Sequence, residues 1–228
     1  MPWVPRRHAN YLDREQHSTQ VPHPFRYDRR MMDEVAVSSK QLQSQATKRR
    51  LINAAFEEFQ LYGLAGARVD RIAERARSNK RLIYIYFGDK AQLFDAVVVR
   101  DVEAMIDAVP FVVGDLPGYA VELFDYLEDR PEVLRLFAWR NLERTHTSEV
   151  EQASYSDKVA EIAEAQRVGR LDAGLPAFQV LSFILGVVGS WMIASDALRR
   201  AACEGVTRDH RREDVRVAVT RFTTRSTF

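Results

Sequence analysis

With 228 residues, 46% of them apolar, plus 10 glycines and 8 prolines, the chain can bury a proper core as one large domain or two small ones. A single cysteine, Cys203, excludes an intrachain disulfide and fits a reducing, cytoplasmic setting, and no secretory signal stands at the start. The formal charge of +1 hides an asymmetry: residues 1–100 carry 18 Lys and Arg against 11 Asp and Glu, and residues 101–228 carry 15 against 21. This is the pattern of a polyanion-binding end and a separate acidic body.

Residues 1–40 hold four of the prolines and three of the histidines and show no sustained apolar period, which predicts a mostly disordered N-terminal arm. Arg6, Arg7, Arg26, Arg29 and Arg30 are placed to reach phosphates or a minor groove, an extension without function being the alternative. Further on, Val69, Ile72, Ala73 and Ala76 recur at i, i+3, i+4 and i+7, so a two-turn amphipathic helix is expected. Ser78 and Asn79 interrupt it, and Asn79 is a good N-cap for a second short helix from Lys80. Ile83, Tyr84, Tyr86 and Phe87 cannot all face one way on that helix. Some aromatic surface must stay exposed, and one of the two tyrosines is expected to be core. Gly88 ends the helix, and Asp89 with Gln92 has the form of a capping box opening a long helix at Lys90. Two helices joined by a tight turn, the second with Lys80, Arg81 and Tyr84 near its start, read as a helix-turn-helix.

Ile72, Ala73, Ala76, Lys80, Tyr84, Tyr86, Phe87 and Lys90 sit at the spacing of the TetR/AcrR repressor signature, and the chain resembles a TetR-family transcriptional regulator. Upstream, LINAAFEEFQLYGLAGARV is similar to that family's first helix, with Ala54, Ala55, Phe56 and Phe59 on the buried face and Tyr62 and Gly63 closing it. The match spans roughly residues 44–102. Three positions depart from the usual pattern: Arg77 stands where glycine is common, Ser78 where valine is common, and Arg68 where a threonine often caps. A more polar, less tightly packed turn is expected from them.

Beyond Lys90 the pattern stays helical. Leu93, Phe94, Val97, Val98, Val102, Met105 and Ile106 predict a helix to about Val109, ended by Pro110 and Gly114. Further helices are expected over Pro117–Glu128, from Pro131 to about Arg144, over Ser148–Val168, from Pro176 to about Arg200, and over Asp209–Thr223. The stretch Ala177–Ala197 is the most apolar, but Gln179, Ser182, Ser190, Ser195 and Asp196 break it, so no membrane span is expected. No segment alternates with period two. The expected fold is all-α: a three-helix helix-turn-helix DNA-binding domain over 41–100, then a helical ligand-binding and dimerisation domain over 101–228.

The helix from Pro176 is apolar on more than one face and must be covered twice. Phe178, Leu181, Leu185, Val188 and Met192 are assigned inward. Phe183, Gly186, Val187, Gly189, Ser190 and Trp191 form a second face expected to pair with a copy of the chain in a two-fold dimer, together with Val215, Val219 and Phe222 of the last helix. An internal core stripe is the alternative, while the resemblance implies the dimer. Two recognition helices would then enter successive major grooves about 34–36 Å apart, over an inverted repeat.

Within each half-site the expected contacts are Asn79, Lys80, Arg81, Tyr84 and Tyr86, with Ile85 against a thymine methyl. The resemblance adds Arg68 and Lys90 as phosphate clamps. It also implies a small-molecule pocket among the later helices, for which Phe111, Tyr119, Phe124, Tyr126, Phe137, Trp139, His146 and Trp191 are candidates, and an apolar or aromatic effector. The expected function is a homodimeric repressor released by that effector.

No cofactor, metal or catalytic group is expected: the chain has no phosphate loop, GxSxG or CxxC. Two other classes compete with this reading. A helical-bundle metal enzyme has only the Glu143 and His146 pair to recommend it, since His210 and Glu213 stand in reverse order. A helical adaptor accounts for the body but not for the residues in the 80s.

Overall fold

In the computed structural model the described residues are 29–143, 148–202 and 205–224, with side chains from Lys40 onward. Helices α1 (Arg29–Gly66), α2 (Val69–Arg75), α3 (Lys80–Phe87) and α4 (Lys90–Ala108) come first. A 3-10 turn, Val113–Asp115, leads into α5 (Leu116–Glu128), followed by α6 (Pro131–Glu143), α7 (Glu149–Arg167), α8 (Ala177–Ser190), α9 (Asp196–Ala201) and α10 (Arg208–Thr223). Among the described residues there is no strand, and the fold is all-α. α1 begins at Arg29, within the stretch read from sequence as an arm; Arg6, Arg7 and Arg26 lie outside the described residues.

Each early break has a local cause. Gly63 interrupts α1 at φ 66 and ψ −174, a conformation that suits glycine, and the Trp139 ring occupies the space a Cβ would need. The amides freed there, of Leu64 and Ala65, donate to the carboxylate of Glu143 at the end of α6, the former at 2.5 Å. After α2, Arg77 adopts φ 49, its N–H donates to the Glu74 carbonyl, and the Ser78 N–H donates to the Ala73 carbonyl, both at 2.9 Å. These two bonds with a left-handed residue between them form a Schellman motif. The turn read as loosely packed therefore keeps full helix-ending geometry, with arginine where glycine would be unstrained. Asn79 then caps α3 by accepting from the Arg81 amide at 2.8 Å. Gly88, at φ 87, ends α3, and Asp89 caps α4 by accepting from the Gln92 amide at 2.7 Å.

Two apolar clusters organise the rest. The first joins Leu51, Ala54, Ala55 and Phe59 of α1 to Ile72 and Ala73 of α2, Ile83 and Phe87 of α3, and Leu93, Phe94 and Val97 of α4. Phe59 and Phe94 meet edge to face with centroids 5.0 Å apart. Leu136 of α6 belongs to this same cluster, so α6 helps build the core of the DNA-binding region. The second cluster gathers α5, α7, α8 and α10 around Phe124, Ile162, Ile184 and Val219.

Three features differ from the sequence reading. The helix expected from Pro176 to about Arg200 stops at Ser190 and resumes as α9. Gly186 and Gly189 weaken its last turns, and Ser195 starts a new helix by accepting from the Leu198 amide. The Arg199 guanidinium donates to the freed carbonyls of Trp191 and Met192. Phe178, assigned inward, is 62% exposed, because the buried stripe of α8 runs through Ala177, Val180, Leu181, Ile184 and Val188. Val215 and Val219, assigned to the two-fold interface, are 5% and 0% exposed within the chain's own core. α10 is turned that way by ion pairs with α5 and its C-cap: Arg208 to Asp125 and the capping Asp129, Arg211 to Glu128, and Arg212 to Asp125.

Candidate functional site

α3 is a short helix anchored on one side only. Ile83 and Phe87 are buried, whereas Lys80, Arg81, Tyr84 and Ile85 are exposed, Tyr84 by 51% and Ile85 by 61%. Two cations, a phenol and a branched alkyl group thus stand together on a rigid element, the combination that suits phosphates and base edges in a major groove. Lys80 lies 3.0 Å from Asp70, whose hydrogen bond raises the ammonium further above its usual range. Both partners are exposed, so a phosphate can displace the pair at little cost. Tyr86 differs from Tyr84. It is half-buried, its hydroxyl accepts from the Ser44 hydroxyl at 3.1 Å, and it is the tyrosine that serves the core.

The rim of α3 is held by groups with internal partners. Lys90 Nζ donates to the Ala65 and Ala67 carbonyls, at 3.3 and 3.0 Å, and so ties the start of α4 to the end of α1. The Arg68 side chain is exposed and makes no cap for α2, but its amide donates to Glu58 Oε1 at 2.9 Å. Arg71 Nε donates to the same oxygen at 2.7 Å while its guanidinium lies 4.5 Å from the Tyr62 ring centroid. Glu58 is 1% exposed, and its charge positions the first residues of α2 from beneath.

A cavity of about 200 Å³ lies among α4, α5, α6, α7 and α8. Its apolar wall includes Val102, Met105, Leu123, Phe137 and Leu185, and its polar wall includes Tyr119, Arg140, Glu151, Ser154, Tyr155 and Lys158. Arg140 and Glu151 are paired at 2.7 Å, and both side chains are largely buried. Burial, with Tyr155 nearby, pushes the Tyr119 phenol up to about 12, and burial likewise raises Tyr155. A second hollow, open and larger at about 560 Å³, runs along α8 and α10 past Phe183, Gly186, Val187, Ser190, Trp191 and Phe222.

The model for bacterial regulatory proteins of the tetR family matches residues 51–97, and the model for tetracyclin repressor-like C-terminal domains matches residues 115–221. The HTH-type transcriptional repressor SCO4008 of Streptomyces coelicolor is 37% identical over 166 residues, which cover 71% of this chain and 85% of that protein. The chain belongs to the tetR family. The HTH-type transcriptional repressor NicS of Pseudomonas putida is 32% identical over 107 residues, 44% of this chain and 50% of NicS. The crystal structure of SCO4942 from Streptomyces coelicolor superposes with a TM-score of 0.70 at 37% identity, covering 78% of this chain and 98% of that one. As a TetR-family member the chain is a DNA-binding transcriptional regulator and not an enzyme. Regulators of this family bind DNA as dimers. Among the described residues no helix is long and apolar enough to cross a membrane. The metal-enzyme reading loses its anchor as well, because the Glu143 carboxylate is engaged with the Leu64 and Ala65 amides.

Among the described residues, the pocket candidates named from sequence that reach the cavity between α4 and α8 are Tyr119 and Phe137. Phe111 meets Tyr119 edge to face, Tyr126 stacks under Arg130, Trp139 packs at Gly63, and Phe124 and Trp191 line the open hollow instead. His146 lies outside the described residues. The sequence reading missed Arg140, Glu151, Ser154, Tyr155 and Lys158. A signal was there: Glu151, Ser154, Tyr155, Lys158 and Ile162 share one face of α7 at helical spacing. A search for apolar periodicity passes over a buried face that is polar.

Proposed function

We propose that the protein is a repressor that binds an inverted-repeat operator as a homodimer and leaves it when a small molecule enters the cavity among α4 to α8. The observation that carries this reading is the exposed quartet of Lys80, Arg81, Tyr84 and Ile85 on a helix whose other face is locked into a core. Arg68 and Asn79 flank that surface, and Lys90 and Tyr86 stiffen it through the bonds described above. The half-exposed face of α8 with Phe183, Gly186, Val187, Ser190 and Trp191, continued by Phe222, supports pairing with a second copy through the open hollow. That SCO4008 and NicS are transcriptional repressors supports repression as the outcome.

Selection of bound fragments from genomic DNA, followed by affinity measurements on the recovered site, tests the reading. Arg81→Ala should cost about 1–3 kcal/mol and relax specificity at one base position in each half-site. Recovered sites without two-fold symmetry, or an Arg81→Ala protein with unchanged affinity and specificity, would sink it.

A further inference from the structure

The wall of the cavity among α4 to α8 has an unbalanced charge. Arg140 and Glu151 neutralise each other at 2.7 Å, and the Arg140 guanidinium also lies 5.3 Å from the Phe137 ring centroid. Lys158 has no such counterpart. Only 8% of it is exposed, Nζ donates to the Ser154 hydroxyl at 2.5 Å, and the Phe111 ring lies 5.8 Å away. Among the described residues no carboxylate stands within ion-pair distance of it, and its sequence neighbours Asp157 and Glu161 are exposed on α7. Burial pushes the ammonium below the ordinary lysine range, against the weaker opposing pull of Asp157 and Glu161. A buried unpaired cation is costly, and proteins normally satisfy it with an anion.

The remaining polar groups have the matching sense. Tyr119 and Tyr155 line the same space, stay neutral well above physiological pH, and make no hydrogen bond among the described residues. A phenol and an ammonium both donate. Among the described residues the one carboxylate on the wall, Glu151, is held by Arg140, so no free carboxylate faces the cavity to pair with a cationic guest. Size narrows the choice further. The cavity is about 200 Å³, and an apolar protein cavity of about 150 Å³ accommodates benzene. There is room for one ring and a short acidic substituent.

We propose that this cavity binds a small aromatic monoanion, its carboxylate on Lys158 with the Tyr119 and Tyr155 hydroxyls as donors and its ring against Phe137 and Leu123. This rests on the effector reading given above and replaces the merely apolar effector expected from sequence with one of defined charge.

Titration calorimetry of the full chain with phenylacetate and cinnamate, each against its primary amide, tests the assignment at neutral pH. The acids should bind about tenfold or more tighter than the amides, the margin of one charged hydrogen bond. Lys158→Met, which keeps the length and apolar body of the side chain, should bring acid and amide to parity. Should that variant fail to fold, the comparison of acid and amide on the unmodified chain still decides. Equal affinities there, a preference for acids that survives Lys158→Met, or no binding by any of the four probes would overturn the anion site. An acid that binds but does not release a selected DNA fragment would refute the effector reading while leaving the anion site standing.

Discussion

Replacing Arg77 with glycine should stabilise the protein, and the turn after α2 allows the size of the gain to be worked out. Arg77 sits at φ 49, between two Schellman hydrogen bonds of 2.9 Å that fix it there. For an L-residue the left-handed conformation costs about 1–2 kcal/mol, which glycine does not incur. Glycine returns part of that gain, about 0.4–1 kcal/mol, through the greater freedom of the unfolded chain. The net expectation for Arg77→Gly is a gain of about 0.5–1 kcal/mol, or about 1–4 °C in melting temperature for a chain of this size. Arg77→Ala is the decisive control, since it removes the same charge but keeps the strain. The two variants should differ by the backbone effect alone in urea titrations and thermal scans. If Arg77→Gly proves no more stable than Arg77→Ala, the strain argument is wrong. The adjacent position offers a related gain: the Ser78 hydroxyl is buried and has no hydrogen-bond partner among the described residues, so Ser78→Val should add about 1 kcal/mol. Because the two residues are neighbours, the double variant need not be additive.

Other perturbations test other parts of the structure. Glu58→Ala leaves the Arg68 amide without its buried acceptor and should cost about 1–3 kcal/mol in denaturant titrations, the half-exposed Arg71 adding little; a loss below 0.5 kcal/mol, on the order of an ordinary surface change, would contradict the positioning role. Tyr119 should ionise near pH 12, seen as a late phenolate absorbance step that disappears in Tyr119→Phe. The sign follows from a folded pKa above the unfolded one: this contribution is complete below about pH 10 and is lost as pH rises toward 12, amounting to about 2–3 kcal/mol. Trp191→Glu places a charge in the open hollow on α8 and α10, and sedimentation should then report monomer at concentrations where the unmodified chain is dimeric. An undisturbed dimer would place the interface elsewhere.

The residues that were easiest to read are those whose partners lie close in sequence. Asn79 and Asp89 cap helices using amides two and three residues ahead, and Ile72, Ala73, Ile83 and Phe87 declare their buried faces by spacing alone. What stayed illegible depends on partners far away. Val215 and Val219 fit an outward or an inward stripe equally well until Arg208, Arg211 and Arg212 find the acids of α5, more than eighty residues earlier. Glu151 and Lys158 stand in a mostly polar helix, and nothing local says that Arg140 will neutralise one and leave the other without an acidic partner. The break after Ser190 was legible in principle, since Gly186, Gly189 and the Ser195 cap all stand in the sequence, but high apolar content outweighed them. Lys90, a phosphate clamp by the family resemblance, also gives its amine to two backbone carbonyls 23 and 25 residues upstream, contacts that no local pattern announces.

Helix α6 has a consequence for how this protein can be dissected or recombined. It supplies Leu136 to the core beneath the recognition helix, holds the Leu64 and Ala65 amides through Glu143, and presents Phe137 and Arg140 to the cavity. A fragment cut near residue 100 would lose a fully buried leucine and bare two amides at the kink in α1, even though the helix-turn-helix itself would be complete. Chimeras that graft new DNA specificity onto this body should therefore exchange α1 to α4 with the contact face of α6 matched, since the smallest transplantable piece is set by shared packing and not by the motif's borders.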